Sequence, residues 1–282
     1  MRLAEPLDQA TGLRRLFAGS QAFRAAGVLG PDARRNARAC AELALGLSRR
    51  GKQLLVLDEG RAPYNVGGMW GLLPRHTLAD VPGLGLGAAV LEAGPGIHLL
   101  AAPEGLHAMA ALSESAILAV AEHWGDAPDW MLLNGQSGVQ AGAGLATTAE
   151  LRILVLPGDK NWLADAYATL KSAHAAWSGG VWMVLVEGAE LERAQPLYNS
   201  LRETAQRFLG LEPGYLGCLP RATQGGTKAE GMHGALLAES LLAWQAEHPL
   251  NFEQYWQRMW LFSRMALDTV GGKRRHADRR PG

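Results

Sequence analysis

The stretch that decides the fold is FRAAGVLGPDARRNARACAELALGLSRRGKQLLVLD, residues 23–58. Phe23–Leu29 is short and apolar, which predicts a strand. Residues 30–36, with the sequence GPDARRN, predict a loop, and Ala37–Arg50 has the apolar spacing of a helix. Gln53–Leu57 predicts a second apolar strand. A strand, a loop, a helix and a second strand in this order indicate a βαβ unit in a parallel sheet.

The rest of the chain alternates short apolar segments with longer helical ones, and this alternation extends the sheet. Further strands are predicted at Ile97–Ala101, Trp130–Asn134, Arg152–Pro157, Val181–Glu187 and Tyr215–Cys218. Helices are predicted at Ser113–Trp124, Asn161–Trp177, Leu191–Leu209, residues 232–247 and Asn251–Leu267. We therefore expect an α/β fold in three layers, with a mostly parallel central sheet and helices on both faces.

The charge balance and the cysteines argue against several classes of protein. The 282 residues include 27 Lys and Arg and 27 Asp and Glu, so the net charge does not favour nucleic acid as a partner. Cys40 and Cys218 are isolated in apolar surroundings, which predicts free thiols in a reducing compartment. The histidines show no metal-ligand spacing, and no apolar run has the length of a membrane span. We expect a cytoplasmic protein without a metal site. The alternative location is a peripheral one, at the inner membrane or a cell pole.

Residues 30–36 lack the groups with which a nucleotide-binding loop holds phosphate. Such a loop uses glycine N–H groups, a lysine, and a Ser or Thr hydroxyl that binds Mg²⁺. Here the loop contains one glycine, Gly30, and neither a lysine nor a hydroxyl. Arg34, Arg35 and Arg38 remain as candidate anion-binding residues at a helix N-terminus, and the alternative is that they are solvated side chains.

Several segments carry a resemblance to a known family. They are residues 8–14 (DQATGLR), residues 49–72, residues 163–171 (LADAYATLK) and residues 215–220 (YLGCLP). Together they resemble the MinD/ParA family of deviant P-loop ATPases and, within it, the FlhG/FleN regulators of flagellar number. Residues 8–14 are similar to the DQA-x-x-LR element of FlhG proteins, and residues 49–72 follow the family pattern RRG…LLLDAD-x-G-x-x-N…GL without a gap. The resemblance covers about residues 7 to 220.

The family's phosphate-binding motif, SGKGGVGKT, falls on residues 29–37 by ungapped spacing. Gly30 is retained, but Pro31 stands at the signature lysine and Asn36 at the phosphate-binding lysine. Ala37 stands at the threonine that binds Mg²⁺. The resemblance therefore implies that the loop has lost the side chains that neutralise and position a triphosphate.

The same alignment places the family's acidic residues at the ends of two strands. Asp58 is retained, whereas Gly60 stands where an aspartate orients the attacking water. Asn134 stands at the acid that holds hydrated Mg²⁺. Because phosphoryl transfer depends on positioning and charge, we expect a pseudo-ATPase rather than an enzyme, with neither ATP nor Mg²⁺ as a cofactor.

The N-terminal segment is the first candidate for a retained function. In FlhG proteins the equivalent helix docks on the signal-recognition-type GTPase FlhF and stimulates GTP hydrolysis. The resemblance implies that Gln9 orders the attacking water and that Asp8, Ala10, Leu13 and Arg14 contact the GTPase. A glutamine can both donate to and accept from a water, which suits this role. The alternative is a helix that only packs on the body.

The predicted domains are residues 1–22, 23–248, 249–270 and 271–282. The first is the FlhF-activating helix, the second the degenerate MinD/ParA-like domain, and the last a disordered basic tail. Asn251–Leu267 is rich in aromatic residues and Met. Trp and Phe beside a basic tail suit an anionic membrane, but apolar residues lie nearly all round this helix. We therefore expect it in the core or an interface, with weak or no membrane association.

These observations together predict a catalytically degenerate FlhG-like regulator of flagellar biogenesis that acts through protein contacts. Its expected partner is an FlhF-like GTPase, with flagellar basal-body components or a transcription factor as further partners. Two alternatives stay open. The first alternative is an unconventional ATP-binding ATPase that uses arginines in place of lysines. The second is a scaffold for another MinD/ParA-type positioning or secretion process.

Overall fold

The computed structural model describes residues 23–123, 127–221 and 227–277. Its strands are β1 (Arg24–Gly30), β2 (Leu54–Asp58), β3 (Val90–Gly94), β4 (Ile97–Ala101), β5 (Trp130–Ser137), β6 (Leu151–Pro157), β7 (Val181–Glu187) and β8 (Gly214–Leu219). Its α-helices are α1 (Ala33–Ser48), α2 (Val66–Met69), α3 (Val81–Leu84), α4 (Leu86–Ala89), α5 (Gly105–Ala111), α6 (Glu114–His123), α7 (Leu163–Ala176), α8 (Leu191–Leu209), α9 (Thr227–Ala243) and α10 (Phe252–Ala277). Short 3-10 helices lie at Leu78–Asp80, Gly138–Ala143, Leu145–Thr148 and Lys160–Trp162.

The strands form one sheet in the order β3-β4-β2-β5-β1-β6-β7-β8. Every neighbouring pair is parallel except β3 and β4. The central strands are buried on both faces, so each reads as a nearly continuous apolar run. Two clusters of buried side chains, one on each face, lie between the sheet and its helices. The α/β, three-layer prediction is confirmed.

The pairing of β2 with β5 sets the geometry of the site. β5 lies between β1 and β2, and the register places Asp58 beside Asn134 at the carboxyl ends of the two strands. Ligands of open parallel sheets bind at this edge, next to the strand where the order of the sheet reverses.

Several boundaries differ from the sequence-based ones. The helix predicted to begin at Ala37 begins at Ala33, and the helix predicted at residues 232–247 lies at Thr227–Ala243. The sequence analysis did not predict β3, because this half-buried edge strand lies in a glycine-rich region and pairs with β4 through the turn at residues 94–96. Glycine weakens the local strand signal without preventing such an antiparallel pair.

Helix α10 belongs to the core of the fold. Phe252, Tyr255, Trp256 and Met259 are buried against the layer that contains α5 and α6. The expectation that this helix packs in the core is confirmed for these residues. The helix also continues to Ala277, into the part of the chain predicted to be a disordered tail, because internal glycines weaken a helix without ending it.

Among the helices of the described ranges, none combines the length and the apolar composition of a membrane span.

Candidate functional site

The connection from β1 to α1 is shorter than the sequence predicts. Only Pro31 and Asp32 separate the strand from the helix. Asp32 caps the helix, because its side chain accepts a hydrogen bond from the backbone N–H of Arg35 at 2.9 Å. The prediction of a loop over residues 33–36 is therefore wrong. In a phosphate-binding loop a ligand accepts from the first N–H groups of the helix, whereas here the side chain of Asp32 accepts from one of them, that of Arg35.

Asn36 fills the space between α1 and the end of β1. It is fully buried, and its Nδ2 donates to the carbonyl oxygen of Gly30 at 3.2 Å. A Cβ atom at Gly30 would lie 2.3 Å from Asn36 Oδ1 and 2.7 Å from the carbonyl oxygen of Val155, so this position has no room for a side chain. Ala37 is also fully buried and places a methyl group where the family has a hydroxyl. The side chains at these two positions face the protein interior.

Asp58 is held by three hydrogen bonds from within the protein. Its Oδ1 accepts from Asn134 Nδ2 at 2.7 Å and from the backbone N–H of Gly60 at 3.1 Å. Its Oδ2 accepts from the backbone N–H of Gly67, in the first turn of α2, at 3.1 Å. Burial raises the pKa of Asp58, and the hydrogen bonds from Asn134, Gly67 and Gly60 partly oppose that rise.

Asn134 and Gly60 form a matched pair around Asp58. A carboxylate at position 134 would place a second negative charge against Asp58, whereas the amide of Asn134 donates a hydrogen bond to it. A Cβ atom at Gly60 would lie 2.8 Å from Asn134 Nδ2 and 3.0 Å from Asn65. The aspartate that the family has at this position would therefore displace either residue. Both substitutions fit the same local packing.

Glu59 is a buried acid that the sequence analysis did not single out. Its carboxylate accepts from the backbone N–H groups of Leu145 at 2.9 Å and Ala146 at 3.2 Å, which begin the 3-10 helix at Leu145–Thr148. Burial, followed by the charge of Asp58, raises the pKa of Glu59 to about 7, against the two hydrogen bonds. The family pattern has alanine here, and that departure was the available signal.

The surroundings of Glu59 extend this network to the C-terminal helix. Gly105 and Gly144 leave room for the carboxylate, since a Cβ atom at either position would lie within 2.9 Å of it. In the same 3-10 helix, the hydroxyl of Thr148 lies 3.1 Å from that of Tyr255 on α10. We call Asn36, Asp58, Glu59 and Asn134 the carboxyl-end network.

Three of the four arginines around the first turn of α1 have fixed partners. Arg35 and Arg38 both form ion pairs with the buried carboxylate of Glu187, at the end of β7. Arg221 donates to the carbonyl oxygen of Gly188 at 3.1 Å. Asp32, Arg34, Arg35, Arg38, Glu187 and Arg221 line a pocket of about 270 Å³, which we call the basic pocket. The structure thus brings the three predicted arginines together and adds Arg221 and Glu187, which the sequence analysis did not include.

The remaining site residues are those of the N-terminal segment and any side chains that could hold a metal. Asp8, Gln9, Ala10, Leu13 and Arg14 lie outside the described residues. Within the described ranges, no group of three or more His, Cys, Asp or Glu side chains could hold a metal ion.

A sequence comparison relates the chain to a regulator of known name. The chain is 27% identical over 185 residues to the antiactivator FleN of Pseudomonas aeruginosa. The match covers 63% of this chain and 66% of FleN, slightly less than two thirds of that relative. No protein-family model matches the chain.

Comparison with solved structures identifies the fold. MinD of Aquifex aeolicus superposes with a TM-score of 0.55 at 14% identity, over 81% of this chain and 100% of that one. MinD of Pyrococcus horikoshii, in complex with Mg-ADP, gives 0.52 at 17% identity, over 89% of this chain and 98% of that one. A ParA-family ATPase of Chlorobium tepidum gives 0.51 at 13% identity, over 86% and 98%. At these identities the likeness establishes the fold alone.

Proposed function

Since the chain has the fold of the MinD/ParA-type P-loop ATPases and is related in sequence to FleN, we propose that it is an FlhG-like regulator that acts through protein contacts rather than through ATP turnover. The observation that carries the proposal is the internal use of Asp58, which accepts from Asn134, Gly60 and Gly67. A carboxylate that is buried and already bonded by three donors is poorly placed to hold hydrated Mg²⁺.

The β1–α1 connection supports the same proposal. Only two residues separate the strand from the helix, and the backbone N–H groups of Arg35 and Asn36 are already bonded to Asp32, so fewer donors remain for a triphosphate. The alternative of an ATPase that substitutes arginines for lysines is less well supported. Arg35 and Arg38 share the carboxylate of Glu187 and would have to exchange it for the nucleotide.

Exposed apolar side chains provide a surface for protein contacts. Tyr64, Met69 and Leu73 follow the carboxyl end of β2, and Val139 follows β5. Leu73 is 87% exposed and Val139 is 70% exposed. These four residues follow the two strands, β2 and β5, that carry Asp58 and Asn134, and we propose this side of the sheet as the place of contact with a partner.

The partner that we propose is an FlhF-type GTPase, contacted by residues 8–14 of the N-terminal segment. FleN carries the name antiactivator, so a transcription activator is the second class of partner that the sequence relationship suggests. The first class is the more direct to test, because it assigns a chemical role to Gln9, which would order the water that attacks GTP.

The test measures GTP hydrolysis by a cognate FlhF-type GTPase in the presence of the full chain. We expect the wild type to increase the rate, Gln9→Ala to abolish the increase, and Gln21→Ala, in the same segment, to retain it. No stimulation by the wild type would refute the assignment of the partner. Co-purification of a different partner in that case would favour the scaffold alternative.

A further inference from the structure

The basic pocket is held in shape by backbone carbonyl groups as well as by its ion pairs. Arg38 donates to the carbonyl oxygen of Pro220 at 2.7 Å, and Arg221 to that of Gly188 at 3.1 Å. Arg35 donates to the carbonyl oxygen of Glu187 at 3.4 Å. These carbonyl groups follow the carboxyl ends of β7 and β8, so two strands of the sheet fix three guanidinium groups. Arginines fixed in this way lose little side-chain entropy when they bind a ligand.

Gly188 provides the room for this arrangement. Its φ is +83°, in the left-handed region, and a Cβ atom there would lie 2.7 Å from Arg35 Nη1. Any side chain at this position would both strain the backbone and displace the guanidinium. Glycine at this position therefore allows both the left-handed backbone and the observed place of the Arg35 guanidinium.

The pocket carries more positive than negative charge. Four arginines line it against two acids, Asp32 and Glu187. Arg35 and Arg38 share one carboxylate, that of Glu187, and Asp32 is occupied by the helix cap. The described part of the chain provides no ion-pair partner for Arg34 or Arg221. The excess is two positive charges in a concave site of about 270 Å³.

The site depends on these side chains and not on the end of the helix. The backbone N–H of Arg35 donates to Asp32 Oδ1, and that of Asn36 donates to the carbonyl oxygen of Asp32. The first turn of α1 therefore has fewer free donors than an uncapped helix. A ligand would meet guanidinium groups, which bind tetrahedral oxyanions through paired N–H donors.

We propose that the basic pocket binds a phosphate-type oxyanion, either free or as the terminal group of a small phosphomonoester. Arg34 and Arg221 contribute the uncompensated charge, and Arg35 and Arg38 complete the ring of donors. The carboxylate of Glu187 competes with the oxyanion for Arg35 and Arg38, and this competition sets the affinity of the pocket for the oxyanion. The volume suits a phosphoryl group with a small organic substituent.

The experiment is a calorimetric titration of the full chain with inorganic phosphate, at constant ionic strength with chloride as the balancing anion. We expect saturable binding in the wild type and a loss of affinity of about tenfold in Arg34→Ala and in Arg221→Ala, since each removes a charge-assisted hydrogen bond. Arg202→Ala, which removes an exposed arginine of α8, is the matched control and should bind as the wild type does. Phenyl phosphate, titrated in parallel, reports whether the monoester or only the free anion is accepted.

Glu187→Gln should change the affinity for phosphate in the opposite direction to the arginine variants, which a general effect of salt would not do. Removing the competing carboxylate frees Arg35 and Arg38, so phosphate should bind more tightly and raise the melting temperature of this variant more than that of the wild type. Saturable binding with these signs supports the proposal. The absence of binding in the wild type, or equal affinities for Arg34→Ala, Arg221→Ala and Arg202→Ala, would overturn it. These titrations are independent of GTPase stimulation, so either proposal can fail alone.

Discussion

The carboxyl-end network and the basic pocket lie at the same edge of one sheet, yet they use charge in opposite ways. In the network, Asp58 and Glu59 are buried and accept hydrogen bonds from the protein's own amide and backbone groups. In the basic pocket, Arg34 and Arg221 remain without an ion-pair partner among the described residues. The difference teaches that the edge at which open parallel sheets bind ligands can hold carboxylates internally at one strand and leave guanidinium groups without ion-pair partners at another.

Removing the carboxylate of Asp58 should have the largest effect on stability. In Asp58→Ala, the donors of Asn134, Gly60 and Gly67 lose their acceptor inside the protein. We expect a loss of about 3 kcal/mol in the free energy of unfolding, measured by urea denaturation. Asp165→Ala, at an exposed position in the first turn of α7, is the control and should cost less than about 1 kcal/mol. Equal losses in the two variants would show that Asp58 is not the centre of a bonded network.

The second prediction concerns the pH dependence that Glu59 introduces. Its pKa of about 7 in the folded chain lies above the ordinary value of 4.5, so the folded chain binds this proton more tightly than the unfolded one. The resulting stabilisation is complete below pH 4.5 and is lost as the pH rises through about 7. Between pH 5 and pH 8 the wild type should lose roughly 2 kcal/mol more than Glu59→Gln.

The measurement is the unfolding free energy of both proteins across that pH range. The pKa of Asp58 is raised by burial in both proteins, so the difference between them reports mainly Glu59, together with its electrostatic coupling to Asp58. Parallel pH profiles would contradict the assignment of a raised pKa to this residue.

The smallest predicted effect separates the two kinds of arginine in the basic pocket. Arg38 and Arg35 share the buried carboxylate of Glu187. Because Arg38→Ala leaves this carboxylate with Arg35 alone, it should lower the free energy of unfolding by about 1.5 kcal/mol. Arg34→Ala removes an exposed side chain and should change stability by less than about 0.5 kcal/mol. Thermal melting compares them directly. A loss in Arg34→Ala as large as that in Arg38→Ala would show that Arg34 is a structural residue too.

The sequence carried the outline of the fold because the buried parallel strands are nearly continuous apolar runs. The ungapped spacing of the family pattern also placed Asp58 and Asn134 at the ends of two strands, but it did not show that these strands are neighbours in the sheet. The predicted start of α1 was wrong: the helix begins at Ala33 and not at Ala37, because Arg34 and Arg35 interrupt the apolar pattern of its first turn. The cap at Asp32, directly after Pro31, was the missed signal.

Glu59 could not have been placed from local sequence. Its hydrogen-bond partner Leu145 is 86 residues away, and no periodicity in either segment links them. The pairing of Arg35 and Arg38 with Glu187 is equally remote, across 152 and 149 residues. Contacts of this kind depend on the order of the strands in the sheet, which the alternation of elements does not determine.

The central claim is that the carboxyl-end network leaves no place for a nucleotide with its metal. Calorimetric titration of the purified chain with ATP, with and without Mg²⁺, tests it most directly. We predict no saturable Mg²⁺-dependent binding, and any weak binding of the phosphates should be independent of Mg²⁺ and lost in Arg221→Ala. Micromolar, Mg²⁺-dependent binding that disappears in Asp58→Asn would contradict the account.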